Sequence, residues 1–554
     1  MNRLSSVIFT ALLLAPRASL DAVATDANLR ATEQLGVVQA GKPVAVRYAG
    51  APWKEVADGL QSPTDGRGLF AGKDLGLGDF RISARLKLDR LESTAVSFMM
   101  NNSHLGFDGR GRALFIEGPL FSGQKLLPEA AKPLIKPGQA FDLEIVRENG
   151  VTRFQIDKHE ILRMERWTGP AAQIGFRPHR NRITLERFEV QGKLVMPTPP
   201  FGTPVFISGQ AGYSGYRIPA LAVTTKGTIL AICEGRRNSL GDTGDIDLLV
   251  RRSTDHGKTW GPQQVVWDDG GNTCGNPCVV VDRDTGKIWL LTTWNRGDDH
   301  EGEIIAGASK DTRRVFVTHS DDDGLTWAKP VEITADVKQQ DWTWYATGPG
   351  GGIQIERGPR KGRLVVPCDH IEKETKHYYS HVIYSDDHGK NWKLGGSTPQ
   401  HKVNECEVVE LADGRLMLNS RNYSAQRFRQ IAFSDDGGLT WYNQRHDEAL
   451  IEPVCQAAIE RYRWPSQGKP GVILFSNPAS TAGRRRMTVR ASFDDGKTWP
   501  VARVLNPGPS AYSDLAVLPD GQIACLYEGG TDYDVQSMMF ANFTLDSLQE
   551  ETRP

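Results

Sequence analysis

STDHGKTW, residues 253–260, is the first of five copies of the pattern Ser-x-Asp-x-Gly-x-x-Trp that repeats through the C-terminal part of the chain. Successive copies start 49 to 67 residues apart, and a run rich in apolar and β-branched residues precedes each. Strand-rich units repeated at such a period predict a β-propeller with one blade per repeat. The other copies are SDDDGLTW (320–327), SDDHGKNW (385–392), SDDGGLTW (434–441) and SFDDGKTW (492–499).

These five segments, called the Asp motifs below, have the composition of a tight turn at the end of a strand. Ser and Asp side chains hydrogen-bond to nearby backbone groups, Gly adopts positive φ angles that other residues avoid, and Trp can pack beneath the turn. The paired aspartates could instead bind calcium or another ligand. We favour the structural interpretation, in which each Asp motif closes one hairpin of a blade.

The residues between about 25 and 192 have a different character, since apolar and polar residues alternate there in short runs. Alternation with period two indicates half-buried strands. Long helical periodicity is not evident, so we predict a β-sandwich for residues 25–192. The clearest apolar positions are Phe80, Ile82, Ala84, Leu86, Leu88, Phe141, Leu143, Ile145, Phe154, Ile156, Ile183 and Leu185.

The flanking segments complete the expected domain order. Four prolines in KLVMPTPPFGTP predict a linker at 193–204, followed by the propeller at 205–545. Residues 1–24 have a basic start, an apolar run and small residues that end at Ala24, which predicts a secretory signal peptide. A membrane anchor is the alternative, but the apolar run is shorter than a bilayer requires. We therefore expect a secreted or periplasmic protein without a membrane span.

The composition excludes several classes of protein. The 554 residues include 66 basic and 67 acidic side chains, and this balance argues against a polyanion-binding protein. With 39% hydrophobic residues, a disordered chain is excluded. Seven cysteines are too few for a disulfide scaffold, and a loop disulfide between Cys274 and Cys278 stays open. No metal-ligand spacing or cofactor motif is present, so we predict no cofactor and no metal site, with a calcium ion left open.

The segment YRIPAL at 216–221 stands shortly before the first Asp motif. Together with the five motifs it resembles the sialidase (neuraminidase) family of six-bladed propeller glycosidases, over about residues 203–545. The resemblance implies an all-β fold, in which a six-bladed β-propeller follows a lectin-like β-sandwich. It also implies an exo-α-sialidase that hydrolyses terminal sialic acid from glycoproteins, glycolipids and oligosaccharides with retention. A trans-sialidase and a non-catalytic propeller that binds carbohydrate stay open, while the sandwich is either a carbohydrate-binding module or a spacer.

Sialic acids carry a carboxylate directly on the anomeric carbon, and arginine pairs with carboxylate through two parallel hydrogen bonds. The family resemblance places three substrate-binding arginines in this chain. These are Arg217 in YRIPAL, Arg421 in LNSRNY and Arg484 in AGRRRMTVR. The adjacent Arg485 and Arg486 leave the last assignment open.

The same carboxylate explains the nucleophile that the resemblance implies. A catalytic Asp or Glu would meet a like charge at the anomeric carbon, whereas a neutral tyrosine would not, and sialidases use tyrosine. Tyr512 in SAYSDLAV matches that tyrosine, and Glu405 in NECEVVEL matches its partner base. Glu407 and Glu410 lie on the same run, although the family pattern favours Glu405.

Protonation of the departing oxygen requires a general acid. Asp242 lies in the glycine-rich loop of RRNSLGDTGDID and matches the acid/base aspartate of the family, with Asp245 as the second candidate. Arg237 or Arg236, just before this loop, resembles a further substrate-binding arginine, and we assign Arg237. Glu528 in CLYEGG matches the carboxylate that orients the first arginine.

Three aromatic residues, Trp342, Trp344 and Tyr345, follow one another closely in WTWYATG. They could form an apolar wall for the N-acyl group of a sialic acid, or they could pack in the propeller core. The sequence favours neither role. Linkage preference and oligomeric state leave no signature in the sequence.

Overall fold

The structure is a computed structural model that describes residues 32–49, 52–64, 68–110, 113–121, 125–127 and 134–550. Strands account for 52% of the chain and helices for 4%, which confirms the predicted all-β class. The chain forms two compact units, the first ending at Pro197 and the second formed mainly by the residues from Thr198 onward. The predicted signal peptide lies outside the described residues. No helix in the described part of the chain is long and apolar enough to cross a membrane.

Within the described residues, the first unit consists mainly of two antiparallel sheets, with nine and seven strands. Phe176 of the smaller sheet contacts Phe188 of the larger one, with ring centroids 5.2 Å apart. In strand Phe80–Leu88 every second side chain is buried, as its alternating sequence predicts. This is the β-sandwich expected from the sequence.

The strands of the larger sheet, in spatial order, are His159–Glu165, Val151–Ile156, Phe141–Glu148, Phe80–Leu88, Ile183–Gly192, Glu33–Gln39 and Lys42–Pro43, with Gly59–Gln61 on Ile183–Gly192 and Lys54–Val56 on Gly59–Gln61. Those of the smaller sheet are Lys125–Leu127, Leu114–Glu117, Ser103–Gly106, Ser97–Met100, Gly175–Arg177, Leu69–Ala71 and Val46–Tyr48.

The predicted linker at 193–204 is partly strand. Leu194–Val195 pairs with Asp74–Leu75 of the first unit. At its other end, Thr203–Ile207 is a strand of the second unit. Only residues 196–202 lack strand pairing, and three of the four prolines lie there, since proline cannot donate a ladder hydrogen bond.

The second unit contains six groups of strands, called blades I to VI. The first strands of blades IV, V, VI, I, II and III contact one another in that order around a common axis. Strands Gly350–Gly351 and Leu364–Glu372 contact the first strand of blade IV and close the ring. The six-bladed propeller expected from the family resemblance is therefore present, and the sixth blade is the one without an Asp motif.

From the axis outward, blade I is Gly215–Val223, Ile229–Arg236, Ile246–Ser253 and Gln264–Trp267; blade II is Thr273–Val281, Ile288–Asn295, Arg314–Ser320 and Val331–Glu332; blade III is Trp342–Thr347, Leu364–Glu372, Tyr378–Ser385 and Lys393–Ser397. Blade IV is Val403–Glu410, Leu416–Asn422, Phe428–Ser434 and Tyr442–Ile451; blade V is Ala458–Arg463, Val472–Pro478, Arg485–Ser492 and residues 501–509; blade VI is residues 510–517, Ile523–Gly529, Ser537–Phe543 and Thr203–Ile207. Short elements complete the unit: strands Gly350–Gly351 and Ile353–Gln354, and helices Glu301–Ala306, Thr334–Val337, Gly358–Arg360 and Leu545–Glu550.

The ring of blades is closed by strands from the two ends of the unit. Thr203–Ile207 pairs antiparallel with Ser537–Phe543 and becomes the outer strand of blade VI. Blades V and VI share the long strand Val501–Val517, which pairs with Arg485–Ser492 through its first part and with Ile523–Gly529 through its second.

Six hydrophobic clusters fill the spaces between neighbouring blades. All seven cysteines are buried and free, so the disulfide that the sequence left open between Cys274 and Cys278 does not form. A β-bulge separates these two residues in strand Thr273–Val281. As a result Cys274 packs in the cluster between blades I and II, and Cys278 packs between blades II and III.

Each Asp motif is a turn held by its own side chains. In the third motif Ser385 donates to Asp387 Oδ1 at 2.8 Å and accepts from the backbone N–H of Gly389 at 2.8 Å. Asp387 also accepts from the backbone and side chain of Asn391. The other four motifs repeat this pattern. The predicted turn role of the Asp motifs is thus confirmed.

The motifs also join neighbouring blades. The tryptophan of each motif packs in the hydrophobic cluster shared with the preceding blade. In the third motif Gly389 has a φ of 82°, and a Cβ added there would overlap the ring of Trp289 on blade II. Glycine at this position therefore meets two needs, a left-handed backbone and close contact between blades.

We expect Gly389→Ala to destabilise the propeller by about 2–5 kcal/mol, the sum of a left-handed alanine and an overpacked contact. Gly414→Ala is the matched control, because Gly414 also has a positive φ but nothing lies within 4 Å of its added Cβ. Thermal unfolding should show a clearly larger drop in Tm for Gly389→Ala. Equal drops would mean that the close contact with blade II adds nothing to stability.

Candidate active site

β-Bulges interrupt the inner strands of blades I, II, IV and VI. A bulge inserts an extra residue into one strand and re-aims the side chains around it. The residues at these bulges include Arg217, Asn276, Glu405 and Tyr512, and all four line one cavity. Local breaks in strand pairing thus bring residues from four separate blades together.

Three predicted arginines line this cavity. Arg217 lies on the inner strand of blade I, Arg421 on strand Leu416–Asn422, and Arg484 directly before strand Arg485–Ser492. The guanidinium carbons of Arg217 and Arg484 lie 5.0 and 5.5 Å from the ring centroid of Tyr512. Within the described part of the chain Arg484 has no ion-pair partner, so its charge is available to an anion.

Tyr512 and Glu405 form a tight pair inside the arginine cluster. The phenol donates to Glu405 Oε1 at 2.5 Å, and Arg421 Nη1 lies 3.0 Å from the phenol oxygen and 2.5 Å from Glu405 Oε2. Burial and the charge of Glu405 hold the pKa of Tyr512 well above its usual value, against the opposing effect of the arginines. The phenol is therefore neutral at rest, and Glu405 is placed to accept its proton when the oxygen reacts.

Glu528 is fully buried and holds two parts of the site in place. It accepts two hydrogen bonds from the Arg217 guanidinium, both at 3.1 Å. Its oxygens also accept from the backbone N–H groups of Ile218 and Tyr512. The carboxylate thus links Arg217 to the segment that carries Tyr512.

Asp242 lies at the mouth of the cavity, where 65% of its side chain is exposed. Arg236 Nη1 lies 2.7 Å and Arg217 Nη1 3.5 Å from its Oδ1. Burial alone would raise the pKa of Asp242, but Arg236 and Arg217 together lower it to about 2. Without substrate, Asp242 is a carboxylate held by two arginines.

Arg237, our sequence assignment, does not lie in the cavity, and its neighbour Arg236 does. Arg236 is buried and donates to Glu234, to Asp242 and to the loop carbonyl of Leu240. Arg237 instead pairs with Asp247 Oδ2 at 2.7 Å. Consecutive residues of a strand point to opposite faces, so a motif with two adjacent arginines does not define which one enters the site.

We expect Arg236→Lys to lower kcat/KM about 10- to 100-fold, because lysine cannot replace the fork of charge-assisted hydrogen bonds that fixes the Asp242 loop. Arg237→Lys, the adjacent control, should leave kcat/KM within about twofold, because Arg237 lies outside the cavity and lysine keeps the positive charge beside Asp247. Steady-state kinetics with an aryl glycoside of sialic acid measure both. The reverse ranking would restore the sequence assignment.

Five charged residues that the sequence offers as alternatives to the assigned site residues lie outside the cavity. Asp245 pairs with Arg237. Glu407 is fully buried on the propeller axis, where it shares a hydrogen bond with Asp514, and Glu410 binds the backbone of residues 356–357. Neither Arg485 nor Arg486 lines the cavity.

The three aromatic residues that could form an apolar wall are divided by the fold. Only Trp344 lines the cavity. Trp342 and Tyr345 are buried in the cluster between blades II and III. The guanidinium of Arg313 lies 4.0 Å from the ring centroid of Trp344, so this side of the site presents charge together with one aromatic ring.

Several cavity residues carry no signal in the sequence. Arg313 and Glu301 come from the loop and helix between the second and third strands of blade II, and Asp369 comes from strand Leu364–Glu372. Asn404 directly precedes Glu405, and Tyr423 lies two residues after Arg421. This closeness in sequence is the one hint that could have identified them. Arg313 and Glu301 are far in sequence from any predicted site residue, so no such hint exists for them.

Three side chains away from the cavity could hold a metal ion within the described residues. Ligand atoms of Asp282, Asp284 and His388 lie within 4.8 Å of one another. Asp282 already accepts hydrogen bonds from Thr285, Gln354 and His388. None of the three metal candidates lines the cavity that contains Tyr512.

Known proteins resemble this chain in sequence and in fold. The family model of the BNR repeat-like domain matches residues 227–525, just over half of the chain. A sialidase of Micromonospora viridifaciens is 37% identical over 368 residues, and a sialidase of Bacteroides fragilis is 33% identical over 350 residues. The chain belongs to the sialidase family.

The matches to these two sialidases cover 63% and 59% of this chain and 55% and 62% of theirs, so the chain spans less than two thirds of the length of either relative. A solved structure, the Hadza microbial sialidase Hz136, is 25% identical and superposes with a TM-score of 0.57. That match covers 91% of this chain and the whole of the solved chain. The sialidase likeness therefore extends beyond the propeller.

Proposed function

We propose that this protein is a retaining exo-α-sialidase that releases terminal sialic acid from glycoproteins, glycolipids and oligosaccharides. The observation that carries the proposal is the hydrogen-bonded pair of Tyr512 and Glu405 inside a cluster of three arginines. Three guanidinium groups suit one carboxylate, and a neutral phenol suits attack on the carbon that bears it. The signal-like N-terminus supports action outside the cytoplasm, which fractionation of the expressing cells would test.

The geometry of the cavity supports the following first chemical step. Arg217, Arg421 and Arg484 bind the sugar carboxylate and hold the anomeric carbon near Tyr512. The phenol oxygen bonds to that carbon, its proton passes to Glu405, and the bond to the leaving oxygen breaks. Asp242 gives its proton to this oxygen.

In the second step Asp242 removes a proton from water, and the water oxygen bonds to the anomeric carbon. The bond to Tyr512 breaks, and the phenol regains its proton from Glu405. Two displacements at one carbon retain its configuration. The free carboxylate of Asp242 must gain a proton before the first step. The sugar carboxylate supports this, because it neutralises part of the arginine charge that lowers the pKa of Asp242.

The test is incubation of the purified protein with 3′-sialyllactose while NMR follows the first anomer released. A retaining hydrolase releases the α-anomer of free sialic acid from the α-linked substrate. Binding without release would indicate a non-catalytic propeller. Transfer of the sugar to added isotopically labelled lactose in preference to water would indicate a trans-sialidase.

The role of Asp242 gives a further prediction. Asp242→Asn should lower kcat/KM for 3′-sialyllactose about 10²- to 10⁴-fold, the usual contribution of general acid catalysis. The loss should be much smaller for a 4-nitrophenyl sialoside, since nitrophenolate departs without a proton. Asp245→Asn is the matched control, because Asp245 lies outside the cavity. Equal losses on both substrates would assign Asp242 to binding instead.

A further inference from the structure

A second pair of side chains joins the two strands that carry Tyr512 and Glu405, and the proposed chemistry does not use it. Glu407 follows Glu405 by two residues on the inner strand of blade IV. Asp514 follows Tyr512 by two residues on the inner strand of blade VI. Glu407 shares a hydrogen bond with Asp514, as Glu405 does with Tyr512. These two acids, called the axial pair below, thus repeat the link made by the catalytic pair of Tyr512 and Glu405.

Blades IV and VI are not neighbours in the ring, because blade V lies between them. In the described part of the chain their inner strands belong to different sheets, so side chains make the direct links between them. Gln456, which precedes the inner strand of blade V, supports the axial pair. Its Nε2 donates to Glu407 Oε1 at 3.3 Å and to the backbone oxygen of Ser513 at 2.9 Å. Its Oε1 accepts from the backbone N–H of Ser513 at 3.0 Å.

The axial pair occupies a closely fitted position. Only 2% of Glu407 and 1% of Asp514 are exposed. Asp514 Oδ2 accepts from the backbone N–H of Leu221 at 2.6 Å, and Glu407 Oε2 accepts from that of Ile459 at 2.8 Å. A Cβ added to Gly350 would overlap Glu407 Oε1. The pair therefore connects the inner strands of blades I, IV, V and VI.

Two carboxyl groups that share a hydrogen bond in a buried site cannot both be ionised. Burial raises the pKa of both acids, and the charge of Asp514 raises that of Glu407 further. Asp514 accepts two short backbone hydrogen bonds, at 2.6 and 2.8 Å, which favour its ionised form. The shared proton therefore lies on Glu407.

The other titratable groups that face the axial pair do not supply a positive charge. Glu460, from blade V, raises the pKa of both Glu407 and Asp514. The thiols of Cys278 on blade II and Cys525 on blade VI are neutral, because burial raises their pKa values. A proton is thus the group that reconciles the two acids.

Resting on the proposed function, we propose that Glu407 and Asp514 are positioning residues that share a proton and hold the inner strands of blades IV and VI at the spacing that the catalytic pair requires. Tyr512 and Glu405 lie on those same strands, so a change in the spacing moves the phenol away from its base. A misplacement of about 1 Å costs on the order of 10²-fold in rate.

The first test removes the acid on blade IV. Glu407→Leu should lower kcat for a 4-nitrophenyl sialoside about 10- to 100-fold and change KM less than about threefold, because the arginines for the carboxylate remain. Glu407→Gln should keep kcat within about threefold, since its amide N–H can donate to Asp514 in place of the shared proton. Glu374→Gln, in an exposed turn of blade III, is the control and should match the wild type.

The second test follows the shared proton through the pH dependence of Tm. An unfolded glutamate loses its proton at about pH 4, whereas the folded pair keeps one above that pH. Stability should therefore fall as the pH rises from about 5 to about 8, by about tenfold per pH unit in the unfolding constant. Glu407→Gln lacks this proton, so the Tm of the wild type should drop relative to it by about 1–3 °C per pH unit. Glu374→Gln should follow the wild type.

The outcomes separate two kinds of failure. An unchanged kcat in Glu407→Leu would overturn the positioning role, and so would a Glu407→Gln variant as slow as Glu407→Leu. If Glu407→Leu does not fold, the Tm comparison decides, because parallel pH profiles of wild type and Glu407→Gln would exclude the shared proton. No cleavage of the sialoside by the wild type would overturn the proposed function instead, and the Tm comparison would still test the axial pair.

Discussion

Tyr512→Phe should lower kcat for an aryl sialoside about 10⁴-fold or more, as expected when the nucleophile of a catalytic unit is removed. Phenylalanine keeps the ring that packs beside Arg217 and Arg484, but it removes the oxygen that would bond to the anomeric carbon. The proton acceptor Glu405 then has nothing to activate. Because the arginines remain, binding of the free sugar should change far less than kcat.

Tyr442→Phe is the control for this result. Tyr442 is exposed on the outer strand of blade IV, where its hydroxyl donates to Asp435. Loss of that hydroxyl should leave kcat unchanged. Undiminished turnover by Tyr512→Phe would rule out the tyrosyl intermediate and with it the proposed retaining mechanism.

Arg484→Ala should lower kcat/KM about 10²- to 10³-fold. In the proposed complex Arg484 forms a buried charge pair with the sugar carboxylate, and truncating one member of such a pair costs roughly 2–5 kcal/mol. Arg484 is the arginine of the cluster without an ion-pair partner in the described residues, so its interaction energy is free for the substrate. Arg217 and Arg421 already bind Glu528 and Glu405. The loss should appear mainly in KM if the carboxylate is held equally in the ground state and the transition state.

Arg486→Ala tests whether position or merely charge matters. Arg486 lies two residues further along the chain, is exposed, and does not line the cavity. Both variants remove one positive charge from the same segment, so a general electrostatic effect would lower kcat/KM equally. We expect Arg486→Ala to stay within about twofold of the wild type, as surface charges usually do.

The fold was predictable because its signals are local and repeated. The Asp motifs mark the end of one hairpin in five blades, and each needs only its own Ser, Asp and Gly to form the turn. The alternation in Phe80–Leu88 likewise has a direct physical cause, since one face of the strand is buried. The predicted linker was too long, because a run rich in proline can still contain two-residue strands at its ends.

The candidate site was only partly predictable. Arg217, Glu405, Arg421, Arg484, Tyr512 and Asp242 meet in one cavity, as the family resemblance led us to expect. The structure places Arg236 in the cavity, whereas the sequence assignment was Arg237. Two adjacent side chains on a strand point in opposite directions, and the sequence does not define which of them faces the cavity.

By itself, the sequence determined the all-β class and the repeat, since both follow from residue types at fixed spacing. Its resemblance to the sialidase family indicated several of the charged groups at the site. The tertiary structure alone decided which side of each strand faces the cavity. β-Bulges at Arg217, Glu405 and Tyr512 break the period of two, so a count along the strand fails at the positions where the site is built. The tertiary structure also separates the aromatic residues of WTWYATG: Trp344 lines the cavity and Tyr345 packs in the core. Asp369 was identified as a cavity residue only from the tertiary structure, because the burial of its unpaired carboxyl group depends on neighbours from other blades.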